Sequence, residues 1–132
     1  ITNDGDILLG PLTAVGHESI RISAEEGTIT TSTGSGLPVA YGRVNTNGNK
    51  RGGTNNWTSE LQTTGPGSVP RYRIAIDDVN YNWDDYLTVV TSFGGGYFGN
   101  INTVNGDLLV YLHDAEGDLA ENGFQFVTYK LP

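Results

Sequence analysis

The densest concentration of chemically capable side chains falls in residues 77–86, where Asp77, Asp78, Asn80, Tyr81, Asn82, Trp83, Asp84, Asp85 and Tyr86 crowd together. A sugar-binding site needs a flat aromatic face to stack on C–H bonds and planar carboxylates or amides to hold pairs of hydroxyls. Trp83 with Asn82, Asp84 and Asp85 offers both. The competing reading is an interstrand turn whose Asn and Asp satisfy their own backbone, with Trp83 plugged into a core. Tyr97 and Phe98 follow the triple glycine Gly94-Gly95-Gly96 and suit contact with a partner or the start of a strand equally well. Trp57 sits in mid-strand sequence, where an aromatic is more often core than contact. Arg51 lies in the polar, partly cationic stretch 47–56, which could meet an anionic polysaccharide or form a solvated hairpin tip.

Catalytic patterns are thin. The chain has no Cys, and neither His17 nor His113 stands in a motif with a nucleophilic Ser. Asp84 and Asp85 are adjacent, and adjacent residues on a strand point to opposite faces. No phosphate-cradling glycine loop opens a helix, so no cofactor is expected. The run Asp114-Ala115-Glu116-Gly117-Asp118 lacks the ligand spacing of a calcium loop and reads as a turn. No resident metal is expected. In a threefold assembly, however, one His113 per chain near the axis would form a ring of three able to hold a transition metal.

The elements that would carry these residues read as strands. Gly, Asn, Thr and Ser together make 53 of the 132 residues, which favours turns and β-structure over helix. Residues 39–45 alternate, with Val39, Tyr41 and Arg43 on one face, and Asn47-Gly48 supplies a tight turn. Further strands are expected over 55–61, 71–77, 86–92, 97–104, 107–113 and 123–130. Gly65-Pro66-Gly67 marks one turn, and Asn105-Gly106 is the clearest hairpin signal. In 71–77, Tyr72, Ile74 and Ile76 should face inward. Residues 86–92 should be a central strand. The stretches 86–92, 107–113 and 123–130 are apolar on both faces, which implies that something covers the outer face. Spacings near ten residues predict an antiparallel sandwich or barrel.

All 13 aromatic residues lie at or after Tyr41. Aromatic side chains dominate small cores, so residues 1–37, with five Ile, four Leu and one Val as their large apolar set, cannot close a core alone. Gly5, Gly16 and Gly27 recur every eleven residues, each ahead of a short apolar alternation at 7–9, 20–22 and 29. This pattern suits a short β-structured shaft whose copies pack together, with residues 30–36 as a hinge. Two regions follow: 1–37 as shaft segment and 38–132 as an antiparallel head.

Net charge is −8, which disfavours nucleic-acid binding. Residues 38–83 alone are positive, through Arg43, Lys50, Arg51, Arg71 and Arg73. No apolar run reaches the roughly 18 residues of a membrane-spanning helix. The absence of Cys fits assembly in a cytosol, and the absence of Met reads as a fragment or processed product.

The succession AYGRVNTNG…NNWTSEL…RYRIAIDDVNYNWDDYLTVVTSFG…NGDLLVYLHDAEGDLAENGFQFVTYK resembles the C-terminal heads of bacteriophage tail fibres. The likeness covers about residues 39–130 and rests on the Y-G start, the W-T strand, the Y-x-I-x-I strand and the closing F-x-F strand. It implies an intertwined parallel homotrimer in a virion, assembled in the host cytoplasm. It also implies a non-enzymatic tip that attaches to a bacterial surface polysaccharide or outer-membrane receptor. Three rivals remain: a monomeric carbohydrate-binding module of a secreted glycosidase, a fibre-borne depolymerase using Asp84, Asp85 or Glu60 as acids, and a structural adhesin or pilus tip of bacterial origin.

Overall fold

The computed structural model describes residues 7–9, 20–23, 28–31, 37–64 and 69–132. Within them the protein is all-β and antiparallel, without a helix. Three short strands, β1 (Ile7–Leu9), β2 (Ile20–Ser23) and β3 (Thr28–Thr31), pair in the order β1-β2-β3. They fall on the three apolar alternations of the first region. Gly5, Gly16, Gly27, His17, the Gly65-Pro66-Gly67 turn and most of the expected hinge lie outside the described residues.

Eight strands follow: β4 (Pro38–Val44), β5 (Lys50–Gly53), β6 (Trp57–Gln62), β7 (Arg71–Ile76), β8 (Tyr86–Ser92), β9 (Phe98–Val104), β10 (Asp107–His113) and β11 (Phe124–Lys130). They form two four-stranded sheets, β6-β7-β10-β9 and β5-β4-β11-β8, and neither closes on itself. Period-two alternation sends one side of each strand into a shared core. Tyr72, Ile74 and Ile76 of β7 are buried as expected, beside Leu108, Val110 and Leu112 of β10. Ala40 and Val44 of β4 and Phe124 and Phe126 of β11 come from the facing sheet. Two edge-to-face aromatic pairs join the sheets. Trp57 meets Phe126 at 4.9 Å between centroids, and Tyr72 meets Phe124 at 5.0 Å. This geometry suits the ring quadrupoles.

Local chemistry sets the turns. Asn105 and Gly106 adopt φ of 50° and 83°, the paired positive values that a two-residue hairpin matched to strand twist demands. Asp114 Oδ1 accepts from the backbone N–H of Glu116 and Asp118, so residues 114–118 form the expected turn.

Three expectations about elements are corrected. Residues 86–92 form β8 at the end of its sheet, not at its centre; β-branched composition marks a strand but not its neighbours. The polar stretch 47–56 contains the short strand β5, because the backbone of β4 offers it a partner regardless of side chains. The two-faced strands differ. Leu109, on the outer face of β10, is buried within the single chain between Arg73 and Asn102 across the ladder. Leu87 and Val89 on β8 stay about half exposed.

Candidate functional site

The patch at 77–86 divides. Asn82 Oδ1 accepts from the backbone N–H of Asp84 and Asp85, and its Nδ2 donates to Asp85 Oδ2 at 2.8 Å. The amide is thus occupied by its own turn. Trp83, by contrast, is 59% exposed and stands beside Leu87 and Ile101 over a shallow hollow. It is no core plug. Tyr81 takes that role: its buried ring stacks on Tyr86, and its hydroxyl joins Thr88, whose hydroxyl pairs with Thr128.

Tyr97 and Phe98 are both exposed, Phe98 by half. Phe98 lies flat on the His113 ring, with centroids 5.0 Å apart and planes 9° off parallel. His113 is therefore covered on one side by its own chain. No group of three potential metal ligands occurs among the described residues. Tyr97 and Phe98 follow the end of β8, whereas Trp83 precedes its start.

Of the two readings of Trp57, contact and core, the structure shows the core one that its sequence context favoured. It is 2% exposed, donates its indole N–H to Tyr41 O at 3.0 Å, and carries Lys50 Nζ over its ring at 4.3 Å. Glu60 projects from β6, at the far side of the other sheet from β8, and pairs with Arg73. The fold does not bring it to Asp84 and Asp85.

The five cations of the positive stretch sort themselves by partner. Lys50 donates to the carbonyls of Thr54 and Trp57. Arg71 donates to Gln62 Oε1 at 2.9 Å. Arg73 bonds Asp107 and Glu60, which hold its pKa above the ordinary arginine value, the Asp107 hydrogen bond foremost. Arg43 and Arg51 pair with no acid among the described residues, and the Arg43 guanidinium lies over the Phe93 ring, 5.9 Å from its centroid. Both line one groove on the outer face of the β5-β4-β11-β8 sheet, together with Tyr41, Gly52, Gln125 and Val127. Its volume is about 720 Å³, within the range of small-ligand sites.

The sequence pattern put Tyr41 and Arg43 on one face but gave that face no role. The signal was present: Tyr41 and Arg43 alternate outward on β4, and Gln125 and Val127 do so on β11. Only the register shows that they are directly opposite. No family model, curated protein or solved structure matches this chain.

Proposed function

We infer that the chain is the receptor-binding tip of a bacteriophage tail fibre, acting as a homotrimer that attaches to a bacterial surface glycan or other outer-membrane receptor. The head is then a two-sheet sandwich, residues 1–37 are the distal shaft, and the mechanism is adhesion rather than catalysis. The observation that carries this reading is the exposure of Trp83, Tyr97 and Phe98 next to turns of an otherwise well-packed head. Large aromatics left in water at loop–strand junctions mark contact surfaces. Leu87, about half exposed on a strand that ends its sheet, favours a neighbouring copy alongside. Three copies multiply weak contacts through effective concentration.

The sequence resemblance supplies the phage assignment, and solution mass plus adhesion tests it. Light scattering should give three times the chain mass, and labelled protein should coat susceptible bacteria. Trp83→Ala and Phe98→Ala should each reduce coating without lowering the unfolding midpoint. A stable monomer at micromolar concentration, or undiminished coating by both variants, rejects the reading. One observation favours a second reading, a monomeric carbohydrate-binding module: Tyr41 stands 47% exposed on a sheet face. The measured mass separates the two.

A further inference from the structure

We propose that the groove on the outer face of β4, β5 and β11 binds a saccharide bearing carboxylate groups, with Tyr41 as the stacking platform and Arg43 and Arg51 as the carboxylate clamp. The saccharide part rests on the adhesive reading above; the anion part stands on the groove itself.

Register places the groups. Tyr41 is directly opposite Val127, and Arg43 is directly opposite Gln125. Same-face residues two apart on a strand lie about 7 Å from each other. A sugar ring stacked on Tyr41 therefore puts its carboxylate within reach of Arg43. Gln125 offers a planar amide to hydroxyls, and Val127 an apolar floor for C–H bonds.

Arg51 arrives by a different device. Val44 pairs with Lys50 and Arg43 with Gly52, so Arg51 is the extra residue of a bulge. Bulges re-aim side chains, and this one places Arg51 in the lining of the groove. Two guanidinium forks suit a carboxylate geometrically. They stand together unneutralised by any described acid, in a chain of net charge −8. Complementary charge in a cleft attracts an anion.

The glycines sharpen the point. Gly53 has φ +122°, and a side chain there would enter the Tyr41 carbonyl, so the fold requires it. Gly52 has no such constraint: a Cβ there would meet nothing within 4 Å. The fold does not need glycine at this position, so a larger side chain on the groove wall can be introduced there without backbone strain.

The test measures binding of short oligoglucuronates, neutral glucose oligomers of equal length and inorganic phosphate to the full chain by calorimetry. The acidic oligomer should bind, weaken with salt, and exceed the neutral one by about tenfold or more, as charge-assisted hydrogen bonds imply. Arg43→Gln with Arg51→Gln, Tyr41→Ala and Gly52→Val should each weaken it. Gly52→Val should leave the unfolding midpoint unchanged and so serves as the blocking variant. Arg71→Gln, at a cation of the other sheet already engaged by Gln62, should leave this binding intact.

Equal affinity for acidic and neutral oligomers overturns the proposal, as does indifference to the arginine pair and to Gly52→Val. Phosphate binding as tightly as the oligomer reduces the groove to a bare anion site and overturns the saccharide assignment. Loss of binding in Trp83→Ala instead moves the site to Trp83, which sinks the groove but leaves adhesion standing. A changed assembly mass in Tyr41→Ala or Gly52→Val shows that a second copy covers this face, and the proposal falls.

Discussion

Single side chains decide much of this head by where their polar atoms end. Tyr72 is fully buried, yet its hydroxyl donates to Thr46 O at 2.8 Å and accepts from Asn122 N–H at 3.1 Å. Burial pushes its pKa from 10.0 up to about 12; the Asn122 hydrogen bond opposes the shift and the nearby Glu121 charge adds to it. The sign of the resulting pH dependence follows by linkage. Between pH 10 and about 12 the unfolded chain has lost this proton while the folded chain keeps it. Stability is therefore full below pH 10 and falls progressively as pH rises toward 12. Tyr81 is shifted the same way, again mainly by burial. Chemical unfolding at a series of alkaline pH values should show the decline, and Tyr72→Phe should flatten part of it. The same substitution should cost about 1–3 kcal/mol at neutral pH, because Asn122 N–H loses its buried acceptor.

At the scale of elements, turns and ladder order carry the fold. Gly106 has φ +83°, and a side chain there would run into Asn80. Its own carbonyl accepts from Tyr81 N–H at 2.8 Å, which ties the β9–β10 hairpin to the segment before β8. Gly106→Ala should cost about 1–3 kcal/mol, read from the urea midpoint. Gly52→Val on β5 should cost less than about 0.5 kcal/mol, as a surface change without strain. If the two glycines proved equally sensitive, the account of Gly52 as open for a ligand would lose its structural basis.

For the whole molecule, the two four-stranded sheets share a core that runs from Ala40 to Phe126. Residues 37–132 should therefore unfold cooperatively as a separate fragment, with the same urea midpoint as the head within the full chain. Its assembly mass is the informative comparison. The trimeric reading expects residues 1–37 to need neighbouring copies, so their removal should lower the mass or weaken association. A full chain and a fragment that are both monomeric would remove the reason to treat the first region as a shaft.

Much of the fold was legible because it rests on local chemistry. Period-two alternation in 71–77 named the inward residues Tyr72, Ile74 and Ile76, all buried, whereas 107–113 read as apolar on both faces and only the sheet packing shows which side meets the core. Asn105-Gly106 and residues 114–118 named their turns by their φ and hydrogen-bonding preferences. Trp83 and Trp57 were not separable in the same way. A lone indole carries no label for inside or outside, and the answer depends on which sheet covers it. That Arg43 and Arg51 have no acid partner among the described residues was equally hidden, since it required knowing where Lys50, Arg71 and Arg73 are engaged.

Alternation, glycine and turn chemistry by themselves determined that residues 38–132 form antiparallel strands with a defined inward side, because those preferences act within a few residues of chain. Tertiary structure alone decided that β8 ends its sheet, that Trp57 is buried while Trp83 is not, and that Tyr41, Arg43 and Arg51 line one groove. Strand order and register join residues far apart in sequence, and a ladder pairing depends on backbone hydrogen bonds that every residue type offers alike.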